Sequence, residues 1–242
     1  TLNLAPADKK LYALRDATSC VENIPLIASS VMSKKIAAGA NKIVIDVTCG
    51  SGAFMKDLEQ AKQLANMLMK IGKLAEKETI CVITNMDEPL GNAVGNSLEV
   101  IEAIEFLNGK MPEDLKEVVL ELGAQMLLLA GKGNNIEENK TMMLENIKNG
   151  KAFEKLKELV ENQGGNISYI IDTEKFEKAK FVLEVKAKET GYVSSLNAQK
   201  VGEISRDLGA GRIRKEDNID ASVGIVLNKK IGDKVEEGDT IA

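Results

Sequence analysis

An α/β fold is expected from the middle of this 242-residue chain. A β-branched run, Lys42-Ile43-Val44-Ile45-Asp46-Val47, reads as a strand, and Thr79–Thr84 (TICVIT) as a second. Between them lie the glycine turn Gly50-Ser51-Gly52 and a stretch with Leu58, Ala61, Leu64, Ala65, Leu68, Ile71 and Ala75 at helical spacing. Strand, helix, strand with two apolar strands is the unit of a parallel sheet, with both strands buried. The two ends of the chain differ from this middle. Three parts are expected: part of a small helical domain at 1–38, part of a mixed or parallel-sheet α/β domain with a helical layer at 39–167, and a C-terminal α+β module at 168–242.

Taken in order, Pro6 and Asp8 signal a helix start, since Pro is tolerated in the first turn and an acid suits its positive end. That helix should reach about Thr18. Pro25 opens a second helix to about Gly39, with Ile24, Ile27, Val31 and Ile36 as apolar positions, giving a helical hairpin. After the strand–helix–strand unit, four helices are expected at Ser97–Leu107, Pro112–Ala130, Ile136–Asn149 and Ala152–Asn162. Gly109, Gly150 and Gly164-Gly165 follow three of them as C-terminal stops. Beyond Gly165, the alternating Phe181–Ala187, Gly191-Tyr192-Val193 and Val223–Leu227 read as short strands, and turn glycines 232 and 238 flank Val235.

Composition removes several function classes. Hydrophobic content of 44% and charged content of 29% are globular values. A net charge of -5 and an aromatic content of 3% without Trp argue against nucleic acid as a partner. With no histidine, the chain contains no His-based triad, general base or metal ligand. Cys20, Cys49 and Cys81 are too widely spaced for a disulfide framework or a zinc site, so they read as small buried residues in a reducing compartment. No apolar run is long enough to span a membrane and no signal sequence stands out, so no membrane partner and a cytoplasmic location are expected. The chain opens without Met and ends at Thr240-Ile241-Ala242 as if entering a strand; a portion of a longer protein is the expectation.

The most specific stretch is Leu11–Lys35. Ser30 and Lys34 stand one helical turn apart and share a face. With Arg15 closing over them, they would suit a flat, polar heterocycle that becomes anionic; the same spacing also fits a wet helix face. Gly50–Met55 (GSGAFM) is either a ligand loop or a plain strand-to-helix turn, and lacks the spacing of a P-loop or a dinucleotide fingerprint. The polar loop Asn85–Asn96 follows a strand, where open α/β sheets bind ligands. Asp87 and Glu88 in it could hold a cation or simply be solvated, and pattern alone puts Glu102 on the surface. Gly209-Ala210-Gly211-Arg212, with Arg214 and Lys215 beyond, reads as a flexible connection that could touch an anion.

Six segments together carry a resemblance: PADKKLYALRD at 6–16, IPLIASSVMSKKIAAGA at 24–40, GSGAFM at 50–55, EPLGNAVGNSLEV at 88–100, KETGYV at 188–193 and GIVLNKKIGDKVEEGD at 224–239. In this order and spacing the chain resembles the pyrimidine-nucleoside phosphorylases, relatives of thymidine phosphorylase, over essentially its whole length. The resemblance implies a pentosyltransferase of the glycosyltransferase class. Such an enzyme cleaves uridine, thymidine or deoxyuridine with phosphate to free base and (deoxy)ribose 1-phosphate. It also implies a hammerhead-like C-terminal module, a homodimer joined through the helical domain, and no organic cofactor. The family's base-binding Arg, Ser and Lys fall on Arg15, Ser30 and Lys34, with Arg15 and Lys34 as the catalytic pair and Ile27 and Phe54 as apolar lining. Its potassium ligands fall on Leu90, Ala93 and Glu102. The family's Lys-x-Ser-x-Gly-Gly phosphate loop is absent from this sequence, so the chain is expected to hold the base half of a site and to be inactive alone. Asn228 stands where many relatives carry His. The rival expectations are a nucleoside-monophosphate phosphorylase or phosphoribosyltransferase relative, or a non-catalytic binding or assembly protein.

Overall fold

The structure is a computed structural model that describes residues 4–18, 20–214 and 216–242; Lys215 of the basic loop and the Asp16 side chain lie outside the described residues. The chain is a mixed α/β protein that divides into two compact units, residues 1–86 with 118–141, and residues 87–117 with 142–242.

In the first unit, α1 (Pro6–Ala17) and α2 (Ile24–Ala37) form the expected hairpin. Asn23 caps α2, its side chain accepting a hydrogen bond from the Leu26 amide, and Pro25 occupies the first turn. This fixes where α2 starts and therefore which residues face α1. Strand β1 (Lys42–Cys49) follows, then α3 (Leu58–Leu74) and β2 (Glu78–Asn85), with β1 and β2 parallel and in register from Lys42↔Glu78 to Cys49↔Asn85. Asp57 caps α3 by accepting from the Gln60 amide.

The core of this unit joins Ile27, Ala28 and Met32 of α2, Ile43, Ile45 and Val47 of β1, Met55, and Ala61, Leu64, Ala65 and Leu68 of α3. The sheet differs from the expectation of two strands buried on both faces. Strand β1 buries alternate residues, and β2 is only partly covered. The apolar run identifies a strand, but which face is covered depends on helices elsewhere in the chain.

The helices α4 (Asn96–Leu107), α5 (Glu113–Leu129), α6 (Ile136–Lys148) and α7 (Lys151–Asn162) lie where the sequence places them. In the second unit, β3 (Ala93–Val94) pairs antiparallel with β5 (Ile225–Val226), and β4 (Gly191–Tyr192) with β6 (Lys234–Val235). The short helix α8 (Ser168–Ile171), and α9 (Ala198–Ser205) capped by Asn197, are additions to the sequence reading. The alternating Phe181–Ala187 forms no continuous ladder. Its second half pairs with the C-terminal residues, Val185 and Ala187 exchanging backbone hydrogen bonds with Gly238, Asp239, Ile241 and Ala242 around the Lys186↔Thr240 bridge, while Phe181, Val182 and Leu183 are about nine-tenths exposed.

The β3–β5 pairing depends on a close backbone approach. A Cβ on Gly224 would come within 2.3 Å of the Val94 carbonyl oxygen and 3.0 Å of the Gly95 Cα. Gly95 itself has φ 153°, a conformation that favours glycine. This crossing draws the C-terminal segment onto the loop that precedes α4.

Candidate functional site

The first candidate lies on the α1–α2 hairpin. The Lys34 ammonium donates to Ser30 Oγ at 2.8 Å, as their one-turn spacing predicts. It also donates to Asp8 Oδ2 at 2.7 Å, across the hairpin. Arg15 is buried, with its Nε–H donating to the Cys20 carbonyl at 3.0 Å and its guanidinium 5.6 Å from the Tyr12 ring centroid. Burial pushes the Asp8 carboxyl up, but hydrogen bonds from Lys34 and Ser30 and the charges of Lys34 and Arg15 outweigh it and hold it below its ordinary range. Lys34 thus joins Asp8 and Ser30, while Arg15 gives its own Nε–H to the Cys20 carbonyl and reaches Asp8 through its charge.

Asp8 is the residue sequence reasoning missed. It served as a helix-start acid, which exhausted its apparent meaning. The available signal was its spacing: Asp8 and Arg15 are two turns apart and lie on one face of α1. Ile27 packs in the core. Phe54 is half-exposed on the turn before α3, next to Met55, which shares a core cluster with Ile27. That turn is held by the Gly50 amide donating to the Met55 carbonyl and the Gly52 amide to the Met86 carbonyl.

The second candidate is the loop before α4. Glu102 is not a plain surface residue. Its Oε1 accepts from the Asn92 amide at 2.7 Å and from the Ala93 amide at 3.2 Å. Its Oε2 lies so close to Gly91 that a Cβ there would approach it to 2.3 Å. The loop carrying Leu90 and Ala93 therefore wraps this carboxylate. Asp114 accepts from the Gly91 amide at 3.0 Å, and the Lys230 ammonium lies 2.9 Å from Asp114 while donating to the Pro89 and Gly91 carbonyls.

Burial raises the Glu102 carboxyl above its ordinary range, and Asp114 adds to this, despite the two amide bonds and Lys230. Two carboxylates beside one ammonium leave an excess of negative charge. With backbone carbonyls nearby, the donor chemistry is all-oxygen and suits a hard cation. A cavity of about 450 Å³ is lined here by Asn92, Ala93, Leu98, Glu102, Met111 and Val226.

The other polar motifs are tied into structure. Glu88 accepts from the Ile231 amide, and the Asp87 carbonyl from the Ala198 amide. The Ala210 carbonyl accepts from Asn96 Nδ2, and Arg212 donates to the Asp217 carbonyl, so the glycine–arginine segment is anchored. Burial pushes the Cys81 thiol up to about 11, which makes it unreactive. Among the described residues, no helix is long and apolar enough to cross a membrane.

Comparison with known proteins gives two family matches. Residues 1–153 match the glycosyl transferase family a/b domain, and residues 192–242 match the pyrimidine nucleoside phosphorylase C-terminal domain. The pyrimidine-nucleoside phosphorylase of Staphylococcus aureus strain USA300 is 54% identical over 239 residues, covering 99% of this chain and 55% of the relative. The same enzyme from the bovine strain RF122 / ET3-1 gives the same identity and coverage. The chain spans about half the length of the curated relatives it matches.

Proposed function

Because this chain belongs to the pyrimidine-nucleoside phosphorylase family of glycosyl transferases, we propose that it supplies the base-binding half of a phosphorolytic site. The reaction is attack of a phosphate oxygen on C1′ of uridine, thymidine or deoxyuridine. The C1′–N1 bond breaks, its electron pair leaves with the base, and the products are the base and (deoxy)ribose 1-phosphate.

The observation that carries this reading is the Arg15–Ser30–Lys34 cluster. Negative charge develops on the leaving pyrimidine, so fixed cations at its oxygens bind the transition state more strongly than the substrate. Lys34 is fixed by its bonds to Asp8 and Ser30, and Arg15 by its bond to Cys20. Such preorganised donors need little rearrangement as charge appears. Ile27 and Phe54 would form the apolar side of the base pocket. Phosphate would be held by protein outside this chain, so the chain alone is expected to be inactive.

The test is a substrate panel on the whole phosphorylase. Uracil or thymine release should require phosphate, and AMP should be inert. Cleavage of AMP, or base release without phosphate, would point to the nucleotide-phosphorylase or non-phosphorolytic alternatives.

Potassium is proposed at the loop before α4, held by the Leu90 and Ala93 carbonyls and Glu102. Its support is the half-buried carboxylate and the local excess of negative charge. Potassium activation of the whole enzyme should weaken by about tenfold or more in Glu102→Gln, since one charged ligand is lost. It should also fade in the wild type as pH falls into the raised Glu102 range, because a protonated carboxyl is a poor ligand. Unaltered potassium dependence in Glu102→Gln would remove the cation from this loop. A cytoplasmic homodimer is likewise proposed; the exposed Leu11, Leu14 and Leu26 on the helical hairpin support it.

A further inference from the structure

Resting on the cation site proposed at Leu90, Ala93 and Glu102, we propose that Lys230 is the positioning residue of that site. Its ammonium occupies the competing oxygens of the loop and leaves the Leu90 and Ala93 carbonyls for the ion. A side chain from the C-terminal segment thereby sets how tightly the loop before α4 takes a monovalent cation.

An ammonium carries three hydrogens and accepts nothing. Those of Lys230 all have acceptors: the Pro89 carbonyl, the Gly91 carbonyl at 2.9 Å and Asp114 Oδ2 at 2.9 Å. The side chain is 17% exposed, so little water competes for these bonds. Its backbone is pinned as well. The Lys230 amide donates to Asp233 Oδ2 at 2.8 Å, and the next amide, that of Ile231, to Glu88 Oε2 at 2.9 Å. Glu88 belongs to the same loop, so head and stem of this lysine are both fixed against it.

The loop carbonyls divide accordingly. Those of Pro89 and Gly91 accept from Lys230, that of Asn92 from the Leu227 amide, and that of Val94 from Ser205 Oγ. Among the described residues, no hydrogen bond reaches the Leu90 carbonyl between the two that Lys230 holds. The Asn92–Leu227 bond makes those two residues the hydrogen-bonded pair, so Ala93 faces Val226 in the alternate kind of pair and its carbonyl points away from β5. The two carbonyls left over are the two assigned to the ion. Lys230 also offsets the Asp114 charge, which leaves Glu102 as the anionic ligand. Charge and geometry then act in opposite directions. A nearby ammonium repels a second cation, whereas an ammonium that holds the loop open to the ion favours it, and the sign of the mutant effect tells which prevails.

The experiment follows the melting temperature of the whole enzyme against potassium chloride, with tetramethylammonium chloride holding ionic strength constant. An ion that binds only the folded protein raises the melting temperature with its concentration, so the rise reports ion affinity apart from turnover. Lys230→Met should need about tenfold more potassium for the same rise, the scale of lost hydrogen bonds to a charged group. Half-maximal kcat should need correspondingly more potassium, with kcat regained at saturation. A merely structural role would lower the melting temperature alike at every potassium concentration. A requirement raised less than about threefold, or lowered as loss of repulsion alone would give, overturns the inference. Should Lys230→Met fail to fold, Lys230→Arg serves: it keeps the charge, but its planar fork does not meet three convergent oxygens. The requirement must again rise at least about threefold, and a smaller rise overturns the idea. Glu102→Gln, measured alongside, separates the two levels. If wild type ignores potassium, or Glu102→Gln leaves the requirement unchanged, the cation site itself is misplaced. If Glu102→Gln raises the requirement and Lys230→Met does not, only the role of Lys230 falls.

Discussion

Replacing Lys34 by Ala in the whole phosphorylase is expected to lower kcat/KM for uridine by roughly 100- to 1000-fold, about 3 kcal/mol of transition-state stabilisation. The size follows from where the charge sits. The ammonium is held at 2.7 Å by Asp8 and at 2.8 Å from Ser30, so it is placed before the substrate arrives. An interaction that strengthens as the base becomes anionic appears mainly in kcat, while uniform binding would appear in KM. Arg15→Ala should act in the same direction, with an added structural cost, since its buried side chain ties the end of α1 to Cys20. Steady-state kinetics with saturating phosphate checks both. Full kcat/KM in both variants would remove the base clamp from this hairpin.

The second large effect is on stability. Met32 is 0% exposed and lies on the core side of α2, with Ala28 one turn before it and α3 opposite. Met32→Ala should cost about 2–5 kcal/mol, the range for truncating a large buried side chain. Because α2 also carries Ser30 and Lys34, the loss should reach the site through the helix. Denaturant unfolding of the chain measures the cost directly. A change below about 1 kcal/mol would mean that α2 is not anchored by this core.

Much of the fold was legible because its elements repeat a period. Helices α3 to α7 carry apolar stripes or terminal glycines, and β1 and β2 carry β-branched runs. The strands β3, β4, β5 and β6 span two residues each, too short for any period to register. Their partners come from far along the chain, which local pattern does not encode. The reverse error occurred at Phe181–Ala187, where alternation alone suggested a strand. A ladder needs a partner along its length, and only the second half of that segment has one: Val185 and Ala187 exchange backbone hydrogen bonds with residues 238–242 around the Lys186↔Thr240 bridge.

The candidate sites divide in the same way. Ser30 and Lys34 were found because they are local, one turn apart on one helix. Asp8 comes from the opposite helix, and Glu102 reaches back to a loop ten residues before it. From pattern alone, one looked like a capping acid and the other like a solvated one. Their roles arise from which loop or helix folds over them.

The ammonium of Lys230 has a consequence for the order in which this protein becomes ordered. It binds the Gly91 carbonyl across 139 residues of chain, and Gly224 must slide beneath Val94 before β3 has a partner. On a ribosome, the segment around residue 90 emerges long before the residues that satisfy it. Closing so long a connection is entropically slow, although lengthening it further adds little to the cost. Until the C-terminal segment arrives, the half-buried Glu102 carboxylate and its wrapping loop have no partner backbone. The loop before α4 is thus among the last parts of its unit to set, and nascent chains stalled before residue 223 would display it unassembled.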